Sequence, residues 1–183
     1  VAAGVVARKI LADATILDEA PCNKVVARII ELGGIPAEAC CETGACDSDL
    51  ICPAWQEAID EAIAEGDSLG AVIECVVPNI DPGYGEPFWD SVESVISHAV
   101  FAIPGVRGIE FGDGFKAAEM KGSEHNDPIG EDYRPIKNGA GGVNGGISNG
   151  APVVFRVAFK PTSSIRKAQS TFNFQTGQMD TLE

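Results

Sequence analysis

Six glycines crowd the twelve residues from Gly139 to Gly150 (GAGGVNGGISNG), and a strand-patterned run, Ala151 to Lys160 (APVVFRVAFK), follows at once. Glycine carries no Cβ, so such a loop can take positive φ and bring its backbone close to another group. A packed core has little use for so many, and the loop is expected to open toward a ligand, the alternative being a connection that binds nothing. Val153, Phe155, Val157 and Phe159 alternate with Val154, Arg156, Ala158 and Lys160. That is the period of a strand with one apolar and one cationic face. Lys160 then runs into Pro161, Thr162, Ser163 and Ser164. An ammonium, three hydroxyls and loop amides gathered by one turn form a cradle suited to a phosphate group. Arg156 shares a face with Lys160 by alternation and is expected to help hold it.

Charge restricts where an anionic ligand can be met. The net charge is −14, but residues 1 to 105 hold 18 acids against 4 bases, while residues 106 to 183 hold 9 of each. The acidic half argues against nucleic acid and against an anionic membrane surface as partners. An anionic substrate therefore belongs to the C-terminal half or to chain beyond this one. With 183 residues and 45% apolar content, the sequence fits a single soluble domain over residues 1 to 183. No apolar run reaches the length of a membrane span. Val1 to Ala12 is read as a helix and, with Arg8 and Lys9 in its midst, not as a signal peptide. It starts without methionine or capping residue, and Phe172 to Glu183 is read as a hairpin turning at Thr176-Gly177 with its second strand cut short. Both ends thus suggest a piece of a longer protein.

Five of the six cysteines, Cys22, Cys40, Cys41, Cys46 and Cys52, precede Cys75 in a stretch without a C-x-x-C pair. Reduced thiols of a cytoplasmic protein are the reading preferred over a zinc site. The remaining pattern predicts a helix from Lys24 to Leu32 closed by Gly33-Gly34, a loop over Pro36 to Ile51, and a helix from Pro53 stopping at Gly66. A strand over Ala71 to Val77 with Glu74 exposed comes next, then a functional loop PNIDPGYGEP, and a helix from Phe88 to Ile103 with Phe88, Val92, Val95, Ile96, Ala99 and Ile103 inward. His98, beside that stripe, is read as a hydrogen-bonded structural histidine. Val106 to Phe111 is a strand. The segment around Ser123, Glu124, His125, Asn126 and Asp127 is either a lid or an ordinary connection. Helices among separated, hairpin-like strands indicate an α+β domain.

The ordered segments GYGEPFWDSVESVISHAVFAIPGVRGIEFGDGF, GSEHND, AGGVNGGISNG and KPTSS resemble chorismate synthase, from about Asp67 to Glu183, and VAAGVVARKIL looks like the same family. Residues 13 to 53 carry no motif of it. The resemblance implies antiparallel sheets with helices packed between them, and elimination of phosphate and a ring proton from 5-enolpyruvylshikimate 3-phosphate to give chorismate. It implies reduced FMN without net redox change, the flavin lending an electron to the breaking carbon–oxygen bond, and a homotetramer when complete. Carried over position by position, the flavin contacts fall on Pro104, Gly105, Gly145, Lys160, Pro161, Thr162, Ser163 and Ser164. A non-catalytic flavin- or phosphate-binding module, or at lower weight a metal-binding protein on the cysteines, are the competing readings.

Two family histidines that act as acids, in a Ser-His-Gly and a Pro-x-His-Ala-Asp motif, have no counterpart here, nor do an Arg-Ser-Ser flavin contact and an Arg-His-Asp segment. His98 and His125 align with other family positions and do not replace them. No residue of the chain is therefore assigned a catalytic role. The purified 183-residue chain is expected to show negligible turnover with reduced FMN and substrate; a normal steady-state rate would refute this.

Overall fold

The computed structural model describes residues 25–40 and 52–182. The opening helix, the break at Asp18–Pro21, and Cys22, Cys41 and Cys46 lie outside them. Nine strands fall within the described residues: β1 (Val26–Leu32), β2 (Ile35–Pro36), β3 (Ala71–Val77), β4 (Val106–Phe111), β5 (Val143–Asn144), β6 (Ile147–Ser148), β7 (Val153–Phe159), β8 (Gln169–Asn173) and β9 (Gln178–Leu182). Five of them form one sheet in the order β2-β1-β3-β7-β4, and β5-β6 and β8-β9 are separate two-stranded sheets. The helices are α1 (Pro53–Glu65), α2 (Val92–Phe101) and α3 (Gly122–His125). The expected α+β class is what the chain adopts. It divides into two compact units, one comprising Val1–Ala27, Cys75–Val95 and Phe111–Phe155, the other Arg28–Glu74, Ile96–Glu110 and Arg156–Glu183.

In the second unit, the segment expected as a helix over Lys24 to Leu32 is strand β1. Val26, Ile29 and Ile30 are β-branched and favour extended backbone. Gly33 and Gly34, with φ of 58° and 83°, do not end a helix but turn β1 into β2, with Leu32 opposite Ile35. Arg28 donates from Nε and Nη2 to Glu74 Oε1 at 3.0 and 2.7 Å. Glu74 is thus held in an ion pair, contrary to the expected exposed carboxylate. Helix α1 follows the sequence closely: Pro53 opens it and Gly66, at φ 69°, caps it in the left-handed region. Trp55 donates from Nε1 to Ile35 O at 3.0 Å, tying the helix to β2. Cys52, buried just ahead of α1, is disulfide-bonded, against the expectation of reduced thiols. The C-terminal hairpin turns at Gly177 as expected. Its two strands pair from Asn173–Gln178 through Gln169–Leu182.

The first unit is organised by the glycine stretch. Gly112 N donates to Val154 O at 3.0 Å, Asp113 N to Gly139 O at 2.8 Å, and Asn149 N to Gly142 O at 3.0 Å. A Cβ on Gly142, at φ 81°, would lie 2.5 Å from Pro152 O and 2.9 Å from Val153 Cα. Val143, Ala151 and Val153 here are buried. Gly141 and Gly142 are needed because backbone packs on backbone there and side chains have no room, while a Cβ on Gly146 would lie 2.8 Å from Ser91 Cβ. Gly145 differs. It shares the β5–β6 turn with Gly146, both at positive φ, and a Cβ there would meet nothing within 4 Å.

Helix α2 starts later than expected, at Val92. Ser91 Oγ accepts from Ser94 N at 3.1 Å, which is the capping geometry that sets the start. Phe88 lies outside the helix and is 88% exposed, and Val95 and Ile103 are about half exposed, so these three do not point into a core.

Gly142→Ala combines a forbidden contact with a strained φ and is expected to cost about 3 kcal/mol or prevent folding. Gly145→Ala pays only the strained φ, about 1 kcal/mol. Urea midpoints of the two variants check this, and equal midpoints would contradict it.

Candidate functional site

The end of β7 delivers Lys160 to a turn in the second unit, and hydrogen bonds fix where that turn sits. Lys160 N donates to Gly105 O at 2.9 Å, so Gly105 lies against the Lys160 turn. Gly105 has φ 91°, and a Cβ would approach only Phe159, at an ordinary 3.8 Å. Space therefore remains in front of it. Further along, Ser68 Oγ donates to Thr162 O at 2.8 Å. Gly66 O, a carbonyl at the end of α1, accepts from Arg166 N at 2.8 Å and Lys167 N at 3.1 Å.

Lys160, Pro161, Thr162, Ser163 and Ser164 are all exposed. Among the described residues, the Lys160 ammonium reaches only the carbonyl of Pro161, at 3.3 Å. The hydroxyls of Thr162, Ser163 and Ser164 make no hydrogen bond with the described residues. One cation and three uncommitted hydroxyls on a turn pinned at its ends are a donor set that fits a phosphate group. Beside the turn, a cavity of about 380 Å³ is lined by Glu31, Gly33, Ser68, Leu69, Phe159 and Pro161, among others. Its size falls in the range of small-molecule sites.

Arg156 does not join this cradle. Its Nε lies 2.9 Å from Glu110 Oε1 on β4, with both side chains 28% exposed. An ion pair within the sheet spends the charge locally, and alternation along a strand could not reveal the partner. Gly145 belongs to the other unit, and its place in a two-residue turn with positive φ already accounts for a glycine there.

A cluster that sequence reading missed stands behind the turn. Lys167 Nζ lies 2.8 Å from Glu65 Oε2 and 3.2 Å from Asp67 Oδ2. The Ser68 amide, then Lys167, hold the Asp67 carboxyl below its ordinary value of 3.8. The Glu65 and then the Asp67 hydrogen bonds raise the Lys167 ammonium above 10.5. A lowered carboxyl contributes fully above its ordinary value and fades as pH falls through the lowered one. A raised ammonium contributes below its ordinary value and fades as pH rises through the raised one. The triad is thus intact across the neutral range. Its partners lie about 100 residues apart in sequence, so no local pattern announces them.

The other candidates are structural. Ser148, buried, accepts from Tyr84 N at 2.9 Å and donates to Asp81 O at 2.7 Å, fixing the loop that was expected to carry function. Asp127 accepts from Lys137 N and Gly139 N, at 2.9 and 2.8 Å. His125 Nδ1 lies 3.3 Å from Asp113 Oδ2, so the GSEHND segment ties down the glycine stretch. His98 is exposed on α2 and, unlike the hydrogen-bonded histidine expected, finds no partner among the described residues. No group of three or more metal-ligating side chains occurs among the described residues, and no described helix is long and apolar enough to cross a membrane.

The family described as chorismate synthase matches residues 1–183, including the stretch 13 to 53 in which no motif was recognisable. A chorismate synthase of Chitinophaga pinensis is 47% identical over 181 residues, covering 98% of this chain and 47% of that protein. One of Dehalococcoides mccartyi is 40% identical over 196 residues, covering 100% of this chain and 52% of its own. The chain thus spans about half the length of the curated relatives it matches. A crystal structure of chorismate synthase superposes with a TM-score of 0.70 at 29% identity, over 87% of this chain and 53% of that one. The family match over residues 1–183 and the likeness of fold over 87% of the chain agree: it belongs to the chorismate synthase family.

Proposed function

We propose that this chain is part of an enzyme that eliminates phosphate and a ring proton from 5-enolpyruvylshikimate 3-phosphate to give chorismate, a carbon–oxygen lyase reaction without net redox change, and that the Lys160 turn holds reduced FMN. The observation that carries the reading is the turn itself: a cation and three uncommitted hydroxyls held against Gly105, on positions that the sequence resemblance assigns to the flavin. The family match over the whole chain favours an enzyme over a non-catalytic binding module. Residues 1–183 then form part of a single domain of a cytoplasmic homotetramer.

In this reading the bound flavin supplies the electron chemistry that the protein's side chains lack. Lys160 neutralises phosphate charge, and the hydroxyls of Thr162, Ser163 and Ser164 orient its oxygens. Pro161, with φ fixed by its ring, limits the conformations the turn can visit. Gly105, following Pro104, borders the same turn and leaves space beside it, and Gly145, in the other unit, is a separate position that the resemblance assigns to the flavin. None of these residues moves a proton, and the reading assigns no acid within the chain.

Isothermal titration of FMN into the chain, with and without substrate, is expected to show binding that Lys160→Ala weakens by about tenfold or more. Equal affinity of the two proteins would refute the assignment.

A further inference from the structure

The Lys160 turn is held from behind as well as exposed in front. From Lys160 to Lys167 the chain is anchored three times: Lys160 N on Gly105 O, Thr162 O on Ser68 Oγ, and the Arg166 and Lys167 amides on Gly66 O. The first and third anchors are main chain to main chain and are available to almost any sequence. The second requires the Ser68 hydroxyl. The third is reinforced by Lys167 Nζ, which bridges Glu65 Oε2 and Asp67 Oδ2 on either side of Gly66. Gly66 keeps this approach open, since a Cβ on it would already press on Arg166 Cβ at 3.1 Å. Asp67 Oδ1 also accepts from Ser68 N at 2.9 Å, so the carboxylate that receives Lys167 fixes the residue that receives Thr162. The segment Glu65 to Ser68 is thus one clamp with two jaws.

These side-chain contacts are solvent-exposed, and exposed hydrogen bonds and ion pairs add little to global stability. Their effect is local. Ser163 and Ser164 lie between the two jaws and have no partner of their own among the described residues. Holding the backbone on both sides reduces the conformational freedom that ligand binding would otherwise have to remove.

Resting on the cofactor reading above, we propose that Ser68 and Lys167 are positioning residues that pre-set the Thr162–Ser164 hydroxyls for the phosphate end of the ligand without touching it.

Ser68→Ala and Lys167→Ala are each expected to weaken FMN binding about threefold to tenfold. They are also expected to speed exchange of the Arg166 amide, which Gly66 O holds, while leaving the urea midpoint in place. Ser68→Thr keeps the hydroxyl, and Lys167→Arg the charge, and each is expected to restore binding. Wild-type affinity in both alanine variants, or a loss of affinity matched by a lowered urea midpoint, would overturn the proposal. If the unaltered chain takes up no FMN, the cofactor reading falls by itself. Exchange at the Arg166 amide then decides the clamp: faster in the variants supports it, unchanged rejects it.

Discussion

Backbone pressed against backbone is the constraint on which the first unit depends. Between Gly112 and the run Gly139 to Gly142, main-chain atoms approach so closely that a side chain on either segment would displace the other. Val154 O accepts from Gly112 N in the same place, so the start of β7 is set there. Val153, fully buried, and Phe155, whose ring lies 5.6 Å from that of Phe111, then fill the space beside the contact. The expense of ordering so many glycines is considerable. It is offset by the burial and hydrogen bonding that only their absent side chains permit.

How much of this was legible depends on the range of the interaction. Strand β7, with Val153, Phe155 and Val157 buried in alternation, was readable because a period of two leaves its trace in neighbouring residues. Helix α1 was readable for a similar reason, with Pro53 and Gly66 marking its ends. Strand β1 was not, because VVARIIEL satisfies both a short amphipathic helix and a strand. Pairing across to β3, through Arg28 and Glu74, decides between them. Local pattern could not anticipate that contact.

The candidate site divides in the same way. Lys160 and the hydroxyls after it sit side by side in the chain, and their chemistry could be read directly. The glycine stretch left two readings open, because a row of glycines looks alike whether it faces a ligand or another backbone, and the backbone contacts of Gly141 and Gly142 leave no local trace. Ser68, Glu65 and Asp67 had no signal at all, being bound to partners some 100 residues away. Arg156 was visible as a cation, but Glu110, the partner that consumes its charge, was not.

That last pairing bears on how an anion would be held. With Arg156 engaged by Glu110, the strand offers the turn the charge of Lys160 without a second cation from its own face. In the proposed cradle Lys160 would then share recognition with hydroxyls and backbone geometry, which mobile ions screen far less than they screen exposed charges. Ionic strength should accordingly have a shallow influence on occupancy, and a polyanion should gain little over a single phosphate ester.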